Sequence, residues 1–342
     1  MDAIVIKKVT PLFGQSDIRG ASTARLESIQ SDLTEQLNLA GTVMHRAAEA
    51  RPWPLIGEFA YRIDQRIANL KAGLTAEEER LVASFLKSEI EPSFDELRSI
   101  GPGVSHAIDR YNQALDPTIR AVYRKRRDFE TSVALLNDHL SAYLDRMQSD
   151  AQRTFPHYFE KNQTDGIDYV IYLGASMHPE RKLNPFHLKN LVLWQLEVAC
   201  GLARHTRQIQ PDLKIPLNTC HLILVNHTPL SIRFRYDEKR FDVDGAYDVR
   251  HEIVKSRLDK ARLKNGRERL TQPDRIAVVY THPKEGREMR RHIEFLQSHG
   301  QLLNDLEVID LEDLPGVSGL KALRIGVNLE AGVARDLEQK TG

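Results

Sequence analysis

Two arginines, Arg250 and Arg257, have the placement in this chain that most demands a chemical explanation. At 100° per residue the segment from Tyr247 to Lys264 turns one apolar face, made by Tyr247, Ile253, Val254, Leu258 and Ala261, and both arginines fall inside it. A guanidinium carried toward a core needs an anion. The ordinary source is a carboxylate of the same chain, and Asp242, Asp244 and Asp248 are close in sequence. The functional source is a bound phosphate or carboxylate, which two forked donors at this spacing would grip from one side. A further anion-binding position is the turn Tyr280-Thr-His-Pro-Lys-Glu-Gly286, where a predicted strand meets the N-terminus of a predicted helix. Such junctions hold anions in α/β proteins, although Thr281 is also placed to be simply the helix cap. Arg250, Arg257 and Thr281 are thus the candidate contacts to an anionic small molecule.

Other chemistries are weaker. The segment Arg250 to Arg269 holds eight Lys or Arg against Glu252, Asp259 and Glu268. Stacking aromatics are not interleaved with these charges, so a solvated basic face is favoured over nucleic-acid binding. Asp242-Val-Asp244-Gly245 invites a calcium loop, but alignment on Gly245 puts Arg240 and His251 where the first and last carboxylates belong. Cys220, His221 and His227, with His178 and His187 upstream, lack any paired Cys-x-x-Cys or His-x-x-x-His spacing, and no metal site is assigned. His-Glu-x-x-His, a glycine-rich phosphate loop and a Gly-x-Ser-x-Gly elbow are all missing, so no catalytic residue or cofactor is named. Asp17-Ile-Arg-Gly20 is similar to a string near the start of phosphohexomutases. Neither their nucleophilic serine loop nor their aspartate-rich metal loop follows, and the reading kept is a buried Asp17 and Arg19 pairing near a turn.

The elements that must position these residues centre on the stretch from Asp116 to Gln152. Ile119, Val122, Phe129, Val133, Leu136, Leu140, Tyr143 and Met147 give an alternating three-four spacing, with Arg126 in the remaining slot. This predicts a long helix with a narrow apolar seam, begun by Asp116 as N-cap and Pro117 in the first turn. The seam serves either a helical bundle or a homodimer. Upstream, Ser22 to Ala50 and Ile56 to Leu70 keep one apolar face each, with Trp53 between Pro52 and Pro54 expected to plug the bundle end. Thr75 and Glu78 make a capping box for a third helix, kinked at Pro92, and a short helix follows Gly101-Pro-Gly103.

After Phe155 the pattern becomes that of strands alternating with helices. Strands are predicted at Tyr169 to Leu173, Cys220 to Val225, Arg275 to Tyr280, Leu306 to Leu311 and Ala322 to Val327, with a hairpin over Leu230 to Val243 turning at Asp237 to Arg240. Helices are predicted from His187 to Ile209, from Tyr247, and from Pro283 to His299. The β-branched run Ala3 to Val9 reads as a short strand added to that sheet, followed by a turn through Gly14 and Gly20. The expected architecture is α+β in two domains: a strand and turn at 1–21, an antiparallel helical bundle with a long heptad helix at 22–154, and a mixed α/β sheet domain at 155–342.

With 342 residues, 41% apolar and 28% charged, the chain has the composition of a well-cored two-domain protein. Its 48 basic and 48 acidic residues balance, so there is no net field to hold it on nucleic acid or an anionic membrane. Two apolar-flanked cysteines, Cys200 and Cys220, no signal-peptide apolar region and no run long enough to span a membrane lead to the expectation of a cytoplasmic protein.

The strings FGQSDIRGAS, FPHYFEKNQTDGIDYVIYLGAS, YDVRHEIVKSRLDKARLKNGRERLTQPDRIAVVYTHPKEG and LEDLPGVSGLKALRIGVN resemble stretches of long, uncharacterised bacterial proteins that contain a GAF domain. The resemblance runs from Phe13 to Asn328 and lies outside the GAF domain itself. It implies a sensory or regulatory setting and maps no catalytic residue onto this chain. The function expected is therefore a signalling or regulatory protein, a helical bundle coupled to an α/β domain that binds a ligand or partner. The alternative is an enzyme acting on a phosphorylated or nucleotide substrate in the α/β domain.

Overall fold

A 14-residue strand, β1 (Val5–Ile18), runs through a nine-stranded mixed sheet. The computed structural model describes residues 5–177, 183–225, 229–235, 240–243, 258, 261–264, 266, 268–314 and 318–331. The remaining strands are β2 (Tyr158–Thr164), β3 (Gly166–Gly174), β4 (Thr219–Val225), β5 (Leu230–Arg235), β6 (Arg240–Val243), β7 (Arg275–Tyr280), β8 (Glu307–Asp310) and β9 (Lys321–Gly326). Their order is β2-β3-β1-β4-β7-β9-β8, with β5 pairing to β1 and β6. One edge of β1 pairs with β3 from Val9 to Asp17; the other pairs with β5 up to Val9 and with β4 from Phe13 onward.

The expected first strand does join the later sheet, but it does not stop before Pro11. Pro11 falls in the gap between the β5 and β4 pairings, where a strand tolerates a residue with no N–H. Lys8, at φ 57°, sits in the register shift between Ile6 and Val9. There the strand bends and changes partner.

The chain divides into two units: Gly20–Ser132, and Met1–Arg19 together with Val133–Gly342. The helical residues are thus inserted between β1 and β2 rather than following a separate N-terminal arm. In the sheet unit, helices α7 (Pro185–Ile209) and α8 (Pro283–Ser298) cover one face, α7 against β1 and β4 and α8 against β7 and β9. On the opposite face Phe13, Val170, Leu222, Ala277 and Val279 form an apolar cluster with Leu258, Leu270, Leu311 and Leu320. The helix predicted from Tyr247 lies largely outside the described residues. Arg262 and Leu263, within its predicted span, instead bridge to Arg269 and Leu311.

The other unit holds α1 (Ala21–Ala50), α2 (Pro54–Ala72), α3 (Ala76–Phe85), α4 (Phe94–Leu97), α5 (Pro102–Ala114) and the start of α6 (Arg124–Thr154). Leu37, Met44, Ile63, Phe85, Ile108 and Tyr111 are among its buried core. Thr75 Oγ1 accepts the Glu78 N–H at 3.1 Å as its cap spacing predicts. Trp53 is 38% exposed beneath Arg51 and plugs nothing.

The long helix begins at Arg124, not at Asp116. Asp116 does cap, but it caps a turn: Oδ1 accepts the Thr118 and Ile119 N–H groups at 2.9 Å, and Arg120 at φ 57° breaks the path. These bonds hold the Asp116 carboxyl below its usual range. The true cap comes from α1, where buried Asp32 accepts the Lys125 and Arg126 N–H groups at 2.8 and 3.0 Å. Ile119, counted in the seam, is 43% exposed. Leu136, Leu140 and Leu144 are fully buried within the single chain, so they offer no free seam to a second copy. No helix among the described residues is long and apolar enough to cross a membrane.

Candidate functional site

The strand β7 ends at Tyr280 and α8 begins at Pro283, leaving Thr281 and His282 as the junction. Thr281 is not the cap. His282 holds that position in a capping box, its side chain accepting the N–H of the third helical residue while a Glu285 carboxylate oxygen accepts the His282 N–H at 3.2 Å. Gly286 is needed one turn in, since a Cβ there would lie 2.5 Å from the Tyr280 ring. With the cap satisfied by His282 and Glu285, Thr281 is left exposed at the mouth of a pocket of about 300 Å³.

Three cations line this pocket: Arg287 and Arg290 from α8 and Lys321 from β9. Lys321 stands opposite Asp310 in the β8–β9 register and pairs with it at 2.9 Å, which raises its pKa. Arg287 and Arg290 have no ion-pair or hydrogen-bond partner among the described residues. Two guanidinium forks and a hydroxyl around one small pocket can hold a phosphate or carboxylate. Thr281, expected at a strand-helix junction, does sit at one and lines this pocket. The Arg287 and Arg290 pair was open to the same reading, being one helical turn apart just inside the helix, whereas Lys321 arrives through sheet pairing and carries no local signal.

Arg250 and Arg257 lie outside the described residues, as do His178 and His227. Cys220 and His221 take opposite faces of β4: Cys220 Sγ donates to the Asp17 carbonyl at 3.6 Å, while His221 contacts Thr219 Oγ1, which meets Thr206 of α7. His187 serves the α7 capping box, its Nδ1 accepting the Asn184 N–H at 3.3 Å. Among the described residues no three His, Cys, Asp or Glu side chains are grouped to hold a metal.

A different constellation forms where β1 ends. The β2–β3 turn comes against it so closely that a Cβ on Gly166 would lie 2.5 Å from the Ser16 carbonyl oxygen, and Ile18 N–H donates to the Asp165 carbonyl at 2.9 Å. Register then puts Asp17 opposite Gly166, and Gln15 opposite Asp168, on one face beyond the Phe13 and Val170 cluster. Asp17, Asp165 and Asp168 are each half-buried. The pairing of Asp17 with Arg19 expected from the sequence is not made: Arg19 has no ion pair among the described residues, and its N–H donates to Asn218. The shared face of Asp17 and Asp168 has no local signal in the sequence, because the whole helical insertion lies between them.

No family model matches the chain, and no curated protein is similar to it in sequence. Among solved structures it is similar to the guanylyl cyclase Cya2, with 13% identity over 59% of this chain and 85% of that chain at a TM-score of 0.32. It is also similar to adenylate cyclases from Trypanosoma brucei in their monomeric state, with 12% identity over 57% of this chain and 80% of that chain at a TM-score of 0.28. Likenesses this loose carry no argument about fold or activity, so the function rests on the residues of the site itself.

Proposed function

We propose that this is a cytoplasmic signalling or regulatory protein whose sheet unit binds an anionic, phosphorylated small molecule at Thr281, Arg287, Arg290 and Lys321. The observation that carries the reading is that Arg287 and Arg290, lacking partners among the described residues, face one pocket together with Lys321. Coupling is supported by the chain path: the helical unit leaves from the end of β1 and returns through α6, so both of its connections enter the sheet unit. The regulatory setting implied by the GAF-protein resemblance belongs to the same proposal. Titration calorimetry with inorganic phosphate and pyrophosphate tests it. Arg290→Gln should weaken binding by roughly 10- to 100-fold, the range of a charged hydrogen bond. Binding that is absent, or unchanged by Arg290→Gln and Arg287→Gln, would end this reading.

The enzyme alternative, with a phosphorylated or nucleotide substrate in the sheet unit, is favoured by one observation, the register that sets Asp17 and Asp168 on the same face of neighbouring strands. Two carboxylates can hold a magnesium ion when a substrate phosphate completes the coordination, and a metal so placed would neutralise phosphoryl charge. A manganese titration monitored by paramagnetic relaxation, compared with Asp17→Asn, separates the readings: no Asp17-dependent metal binding in the presence of nucleotide removes the enzyme alternative.

A further inference from the structure

The cationic pocket is not isolated. Pro283 and Arg287 line it and also line a groove of about 670 Å³ between α7 and α8, so the two spaces join around the first turn of α8. The groove is apolar along Pro185, Leu188 and Val192. Of its charges, Glu288 lies 3.7 Å from Lys189 and Glu285 is held by the His282 N–H, while Lys284 and Arg287 add positive charge on the first turns of α8. Leu188, placed by its spacing among the inward residues of α7, is only half-buried because it faces this groove.

Resting on the anion-binding reading above, we infer that the ligand is a phosphate monoester with an aliphatic body, its phosphate at Arg287, Arg290 and Thr281 and its body along Leu188, Val192 and Pro185. Charge complementarity places the head, since Arg287 and Arg290 are unpaired among the described residues and line the smaller pocket together with Lys321, while in the groove Lys189 is countered by Glu288 and Lys284 is a single cation. The lining places the tail. A nucleotide fits less well, because no Phe, Tyr or Trp lines the groove to stack a base, and its carboxylates are committed. The groove volume suits a body of drug-like size.

Titration calorimetry of the full chain with inorganic phosphate and with butyl, hexyl and octyl phosphate below their aggregation limits tests this. Each added methylene that enters the groove should tighten binding about threefold to fourfold. Leu188→Asp should remove that gain, and Arg290→Gln should weaken every member of the series. Equal affinity for inorganic and octyl phosphate would overturn the aliphatic body while leaving the anion site standing. A chain-length gain that survives Arg290→Gln would mean unspecific partitioning and overturn the proposal. Failure of all four probes to bind would overturn both readings.

Discussion

His221 lies in β4 on the face covered by α7, fully buried, with Nε2 3.2 Å from Thr219 Oγ1 and Nδ1 lacking a hydrogen-bond partner among the described residues. Burial pushes its pKa from 6.5 down to about 3, since a charged imidazole there would lose its hydration without gaining an anion. The folded pKa is depressed, so the unfolded chain binds this proton first. The associated stability is intact above pH 6.5 and is lost as pH falls from there toward 3. At 1.4 kcal/mol per pH unit as an approximate slope, acidification from about pH 7.5 to about pH 5 should remove about 2 kcal/mol through this residue alone. Urea unfolding of the wild type and of His221→Gln at both pH values measures it, other titrating groups cancelling in the comparison. The variant should lose about 2 kcal/mol less than the wild type on acidification. Identical pH dependence in the two proteins would refute the claim that His221 is held neutral by burial.

Three further outcomes follow from single contacts. Asp32→Ala leaves the first N–H groups of α6 uncapped and Arg126 with Glu79 alone, and should cost about 3 kcal/mol in denaturant unfolding of the helical unit. Gly166→Ala forces a Cβ against the Ser16 carbonyl at φ 148°, and should cost about 2 kcal/mol or more, read as a fall in the urea midpoint. Leu136→Ala should destabilise by roughly 3 kcal/mol, while sedimentation velocity finds the oligomeric state unchanged, since the side chain is already enclosed by its own chain.

Many locally marked elements match their expected spans, although the strand Tyr158–Thr164 was not expected and Trp53 does not plug the bundle end. β3, β4, the β5–β6 pairing, β7, α7, α8, β8 and β9 all fall within a few residues of their predicted spans, because each pairs a clear two- or 3.6-residue period with a Pro or Gly boundary. Errors came where a residue's partner lies far along the chain. Pro11 is a strand terminator by local rule, yet β1 passes through it because its partners on that edge change there. Asp116-Pro117 is a strong helix start by the same rule, and Asp116 does accept two backbone N–H groups; the helix nevertheless waits for Asp32.

The two candidate sites divide along the same line. Thr281, Arg287 and Arg290 come from one continuous strand-turn-helix, so three of the four residues of the proposed anion pocket lie within ten consecutive positions, although the sequence reading singled out only Thr281, and Lys321 needed the sheet to deliver it. Asp17 and Asp168 have no such continuity: they share a face only through the register of β1 with β3, on either side of the inserted helical unit in sequence. The string Asp17-Ile-Arg-Gly20 was set aside for want of a partner motif downstream. A juxtaposition of residues on either side of an insertion therefore carries its information in strand register, and Gly166, whose missing Cβ lets the hairpin turn lie against the Ser16 carbonyl, marks where the register brings them together.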